Sequence, residues 1–339
     1  MKRAMIPGTH VLRQMPAWQE ELSRAVTDPA ELLQILRLET GLLPAARAAA
    51  RVFPLRVPRG YVARMRPGDP ADPLLRQVLP LGAELEPVAG FGPDPVGDLA
   101  AVAARGVLHK YRGRVLLIAT GACAVNCRFC FRRHFPYGEA AAATDRWREA
   151  LAYIAADDSI AEVILSGGDP LMLADRRLGE FARALAAISH VQRLRLHTRL
   201  PIVLPERVDD GLLAWLGDTR LKTVVVVHAN HANEIDGPVR AALARLKDGA
   251  AALLTQTVLL RGVNDSAAAL ADLSAALFEA GALPYYLHLL DKVQGAAHFA
   301  VDEAAARALM SDLNARLPGY LVPRLVRELP GAPAKVRLV

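Results

Sequence analysis

Cysteine is close to absent from this chain: there are three in 339 residues, and all of them fall between positions 123 and 130. An odd number at such tight spacing argues against a disulfide framework and so against a small stapled secreted domain. Lysine is nearly as scarce, with six residues against 35 arginines. Aromatic residues make up 5% of the chain. No apolar run reaches the roughly 18 residues that a membrane-spanning helix needs. The opening MKRAMIPGTH lacks the apolar stretch of a secretory signal, so a cytoplasmic location is expected. The net charge is +6 and the isoelectric point about 9.4. The basic residues are nevertheless scattered, with no block of like charge and no basic stripe interleaved with aromatics, so nucleic acid is not an expected partner.

Size and apolar mass are present in compensation. With 53% apolar residues the chain can bury one large core with a modest appendage. Pro16 to Leu38 reads as two short helices broken at Thr27-Asp28-Pro29, where Asp28 can cap and Pro29 suits a first helical position. Leu43 to Val52 reads as another helix, FPLRVPRGYVARM (53–65) as extended chain and turns, and Asp69 to Pro95 as a Pro/Gly-rich connection. From Arg112 onward, apolar runs alternate with amphipathic helical segments. The runs are Val115 to Thr120, Val163 to Ser166, Leu194 to Thr198, Val224 to His228, Leu253 to Leu259 and Tyr285 to Leu290. Such alternation indicates parallel β/α units. The expected fold is α/β, a partial (β/α)6 TIM-like barrel with a mainly helical N-terminal extension. Residues 1–105 form the extension, 106–300 the barrel, and 301–339 a C-terminal helix and tail.

Polar residues gather where these runs end, the rim at which barrels of this kind carry chemistry. The first run leads into GACAVNCRFCFRRHFPY, with Cys123, Cys127 and Cys130, and the second into SGGDP, Ser166 to Pro170. The third ends in His197-Thr198-Arg199, the fourth in His228, Asn230 and His231, the fifth passes Gln256, and the sixth ends at Asp291. Three thiolates on one loop can converge on one inorganic centre. Two centres fit. One is a 4Fe-4S cluster one protein ligand short, whose free iron is open to S-adenosylmethionine; the other is a zinc ion completed by His134. SGGDP suits both an ordinary tight turn and a backbone-and-acid contact to a ligand. The C-terminal LVRELPGAPAKVRLV has the composition of a frayed tail. Its Lys335, after a Gly/Pro turn and beside apolar Val336 and Leu338, also suits a pyridoxal phosphate lysine.

The C-x3-C-x2-C spacing with Phe129 before the last cysteine resembles the signature of radical S-adenosylmethionine enzymes. HKYRGRVLLIATGACAVNCRFCFRRHFPY, ILSGGDPLML, HTRLPIVLPERV, HANHANEI, QTVLLRGVND, YYLHLLDKVQGAAHF and RELPGAPAK together resemble the lysine 2,3-aminomutase family of that superfamily, across nearly the whole chain. The resemblance implies an isomerase that turns L-lysine into (R)-β-lysine, with a 4Fe-4S cluster, S-adenosylmethionine and pyridoxal 5′-phosphate. It implies Cys123, Cys127 and Cys130 as cluster ligands, and Ser166, Gly167, Gly168, Asp169, His228 and Gln256 as contacts to S-adenosylmethionine. Lys335, Tyr111 and Arg114 would serve pyridoxal phosphate. Arg132, with its planar fork, would hold the substrate carboxylate, and Asp291 with Glu328 the ε-ammonium.

The family also implies an electron donor of flavodoxin or ferredoxin type. Within it, the short chain and the segment WQEELSRAVTDPAELLQILRL point to a link with elongation factor P and its lysyl ligase. Glu328 stands where classical members have aspartate, and PGAPA where they have a glycine run. No cysteine remains for a structural zinc, so no zinc and a simpler homo-oligomer are expected. Two other classes stay open: an aminomutase for another amino acid such as glutamate, which would not need acids at 291 and 328, and a zinc-bound interaction protein.

Overall fold

Short apolar runs build the centre of the molecule, buried almost throughout in Glu162–Gly167 and at alternate residues in Arg193–Thr198 and Ala252–Leu259. The computed structural model describes residues 15–140 and 144–339, so the reading of the first ten residues lies outside the described part. Among the described residues ten strands form one sheet in chain order. They are β1 (Val102–Ala104), β2 (Val107–Tyr111), β3 (Arg114–Thr120), β4 (Glu162–Gly167), β5 (Arg193–Thr198), β6 (Lys222–His228), β7 (Ala252–Leu259), β8 (Leu283–Leu289), β9 (Arg324–Arg327) and β10 (Val336–Arg337). The six expected strands are β3 to β8, all parallel, and their helices alternate with them. The sheet stays open, which makes it a partial barrel.

Four strands escaped the sequence reading. β1 and β2 join β3 as an antiparallel meander whose turns place Gly106 and Gly113 at φ of 76° and 78°, a region that favours glycine. The boundary expected after residue 105 falls in the first of these turns. β9 pairs parallel with β8, and β10 folds back antiparallel on β9. The tail is therefore an edge hairpin. Their sequences, RLVR and VR, are too short and charged to announce strands. Leu338 completes the closure, its N–H donating to Leu325 O at 3.0 Å while its side chain packs with Leu287, Met310 and Leu313.

The extension has helices at Ala17–Ser23, Pro29–Ile35 and Leu43–Val52, as read, and Asp28 accepts from the Ala30 N–H at 2.9 Å. Residues 53–65 differ: Arg59–Val62 makes one helical turn that delivers Tyr61 into the interior. Leu32, Tyr61 and Leu74 from the extension share one continuous apolar cluster with Leu165, Leu196 and Val225 from the barrel. No helix among the described residues is long and apolar enough to cross a membrane.

Candidate active site

The cysteine loop leaves β3 and is gripped from two sides. On the barrel side, Gly168 N–H donates to Thr120 O at 2.6 Å and Asp169 N–H to Ala122 O at 2.8 Å. A Cβ on Gly168 would come within 2.4 Å of Ala122 O, and one on Gly167, at φ 110°, within 2.7 Å of Thr120 O. The close approach that these glycines permit is thus to the backbone entering the cysteine loop. On the extension side, Asn126 N–H reaches Arg56 O at 3.0 Å and Arg128 N–H reaches Gln77 O at 2.9 Å. The fully buried Arg128 makes a two-point bond to buried Glu84, at 2.9 and 2.5 Å, and Arg133 adds a third at 2.8 Å. Two cations around one carboxylate hold the loop against the extension.

Cys123, Cys127 and Cys130 line one cavity of about 320 Å³. Burial pushes the Cys130 thiol up to about 11, with the neighbouring Cys127 adding to it, and raises Cys123 as well. Metal loading at Cys123 and Cys130 would therefore release protons. The donor set fits an iron-sulfur cluster, and Arg199 Nε is a further buried donor without a partner among the described residues. His134 lies elsewhere: its ring meets Gln294 O at 3.1 Å in an exposed position.

Every other residue given a cofactor or substrate role in the sequence lines the same cavity, whereas the rim markers Asn230 and His231 do not and instead donate their backbone N–H groups to Glu234. Asp169 takes part through the fold, since its carboxylate already accepts from Leu171 N, Thr198 Oγ1, Arg199 N and Leu200 N at 2.7 to 3.1 Å. His228 stacks on Phe129, ring centroids 5.6 Å apart, and sits in register with Gln256 of β7. Burial drives its pKa down to about 3, so the ring is neutral, and its Nε2 has no partner among the described residues. Tyr111 and Arg114 flank the β2–β3 turn, the guanidinium 4.8 Å from the ring centre.

Charges of alternating sign run along the wall. Arg132 Nε lies 2.6 Å from Asp98, Asp98 lies 2.5 Å from Lys110 Nζ, Lys110 lies 2.9 Å from Glu328, and Glu328 lies 2.5 Å from Lys335 Nζ. Arg132 also donates to Ser166 Oγ at 3.2 Å. Asp291 stands close enough to feel this ladder but forms no ion pair among the described residues. Burial and the Glu328 charge push its carboxyl up to about 7, against the pull of Lys335 and Lys110.

The sequence reading passed over Asp98 and His288 in the cavity wall, gave Lys110 no role beyond a rival to Lys335, and used His197 and Arg199 only as rim markers. The scarcity of lysine was the one available signal for Lys110. For Asp98, in a Pro/Gly-rich stretch, there was none.

A family model for the Radical SAM superfamily matches residues 117–225, from β3 into β6. The L-lysine 2,3-aminomutase of Escherichia coli (strain K12) is 50% identical over 95% of this chain and 94% of its own. That of Haemophilus influenzae is 47% identical over 98% of both chains. A solved radical SAM methyltransferase from Sphaerobacter thermophilus aligns with TM-score 0.43 and 19% identity, over 65% of this chain and 68% of its own. An open parallel barrel with three convergent thiols at its rim, matched by that model, is a radical SAM enzyme. More narrowly, the chain belongs to the lysine 2,3-aminomutase family, isomerases that work with a 4Fe-4S cluster and S-adenosylmethionine.

Proposed function

We propose that this protein rearranges L-lysine to (R)-β-lysine in the cavity described, with pyridoxal phosphate as a third cofactor, and that the product serves β-lysylation of elongation factor P. The observation that supports the substrate assignment is the charge set of the cavity wall: a buried guanidinium, Arg132, and two acids, Glu328, paired with Lys110 and Lys335, and Asp291, which has no ion pair among the described residues. A zwitterion bearing a second, distant ammonium complements that pattern.

When bound, the cluster with S-adenosylmethionine supplies a hydrogen-abstracting radical, and pyridoxal phosphate supplies the carrier for the migrating nitrogen. Cys123, Cys127 and Cys130 would hold the cluster. Arg132, braced by Asp98 and Ser166 through Nε and Nη1, keeps Nη2 for the substrate carboxylate. Asp291 and Glu328 orient the ε-ammonium and so set which carbon faces the reacting centre. Lys335 lines the same wall and is the attachment point for pyridoxal phosphate, with Tyr111 and Arg114 beside it. The buried Nε2 of His197, unpartnered among the described residues, suits a polar cofactor, and Phe129, Val258 and Leu290 exclude water from the rest.

Anaerobic incubation with L-lysine, S-adenosylmethionine, pyridoxal phosphate and a flavodoxin- or ferredoxin-type reductant tests the reading, with chiral analysis of the product. (R)-β-lysine supports it, and a wild-type preference for glutamate rejects it. Support for the elongation factor P link comes from the resemblance of residues 18–38. Its test is whether the product is a better acyl donor than L-lysine for elongation factor P in the presence of its lysyl ligase.

A further inference from the structure

One cluster ligand differs from the other two in what stands behind it. Arg199, at the end of β5, donates through Nη1 to Cys127 Sγ at 2.7 Å. Its Nη2 lies 2.6 Å from Gln77 Oε1, 3.1 Å from Glu234 Oε2 and 3.3 Å from Tyr61 OH, acceptors that share its two N–H donors. The other oxygen of Glu234 receives Asn230 N–H at 2.8 Å, His231 N–H at 3.0 Å and Gln77 Nε2 at 3.1 Å. Arg199 is 6% exposed and Glu234 0%. The result is a buried, oriented ion pair with its positive end on a cluster sulfur and its negative end held beyond it by backbone and amide donors. Water cannot screen it, and the guanidinium stays charged at any working pH.

We propose that the Arg199–Glu234 pair is a positioning device that raises the reduction potential of the cluster through Cys127. The inference rests on the reading that the three cysteines hold a 4Fe-4S cluster. In the step concerned, a low-potential one-electron donor loses one electron and the cluster gains it, with no bond made or broken. The thiolate-ligated core then carries one more negative charge. A fixed positive charge and an N–H on sulfur favour that state, and both are recognised determinants of cluster potential. The counter-charge of Glu234 offsets part of this, but from farther away. Gln77 and Tyr61 belong to the N-terminal extension, so that segment takes part in setting the potential of a cluster bound to the barrel.

The test is an anaerobic redox titration of the reconstituted full-length protein, followed by electron paramagnetic resonance, with iron and sulfide determined on each sample. Arg199→Gln should lower the reduced-to-oxidised ratio at fixed poise at least tenfold, which is about 59 mV for a one-electron couple. Glu234→Gln should shift the midpoint the opposite way, and Arg199→Lys should keep most of the wild-type value. A purely structural role for the pair would lower stability without giving shifts of opposite sign. An Arg199→Gln protein that loads a full cluster at unchanged potential overturns the proposal. So does a Glu234→Gln protein whose potential stays the same or falls, and that variant decides the matter if Arg199→Gln does not load. Wild-type protein that takes up no iron and sulfide would instead reject the cluster reading itself.

Discussion

Lys335 Nζ lies 2.5 Å from Glu328 Oε2 because β10 runs antiparallel to β9, with Val336 opposite Arg327. A hairpin turn through Gly331, at φ 75°, thus brings together the residue assigned to pyridoxal phosphate and one assigned to the substrate ammonium. Against the effect of burial, Lys335 and Lys110 hold the Glu328 carboxyl well below the usual carboxylate range. Glu328 is therefore ionised throughout the neutral range, whereas Asp291 titrates within it.

Lys335→Ala should abolish retention of pyridoxal phosphate and leave the iron and sulfide content unchanged, since the two cofactors use separate residues. Borohydride reduction followed by peptide mapping checks it. A label on Lys110 or Lys292 would show that the assignment of Lys335 is wrong.

Asp291 must be ionised to hold an ammonium, so kcat/KM for lysine should rise with pH through about 7, where burial and Glu328 have placed its carboxyl. Asp291→Asn should remove that limb. Loss of a charge-assisted hydrogen bond worth roughly 1.5 to 3 kcal/mol should also lower kcat/KM at least about tenfold. Glu328→Asp should alter the kinetics without abolishing turnover. An Asp291→Asn enzyme with an unchanged pH profile would place ammonium recognition elsewhere.

Gly168→Ala should displace the cysteine loop, because its Cβ would meet Ala122 O at 2.4 Å and backbone cannot yield as a side chain does. We expect reduced iron retention and a stability loss of about 1 to 3 kcal/mol, typical of overpacking. Iron analysis and anaerobic urea unfolding measure both. Full retention with wild-type stability would mean the loop has slack that its hydrogen bonds do not suggest.

Glu84→Gln leaves two guanidinium groups without their shared buried carboxylate. Breaking a buried pair by removing one partner typically costs about 3 to 5 kcal/mol. The variant should unfold at correspondingly lower urea and lose its cluster more readily, whereas Arg24→Gln, at an exposed helical pair, should change stability by less than about 1 kcal/mol.

What the sequence determined by itself was local and periodic. Six buried runs alternating with amphipathic helices are sufficient for a parallel barrel, because strands covered on both faces must be apolar throughout. Three cysteines within eight residues name a metal centre wherever the loop sits. The tail was legible only as two readings, since β9 and β10 are too short for periodicity and become strands by pairing with β8 and each other. Tertiary structure alone decided which charges meet. Lys110 pairs with a carboxylate 218 positions away, Arg199 reaches a thiol 72 positions back and an amide 122 positions back, and Arg132 binds Asp98 across 34. Such contacts depend on which strand ends converge on the rim, and buried charges with no other counter-ion in reach must take the partner that convergence supplies.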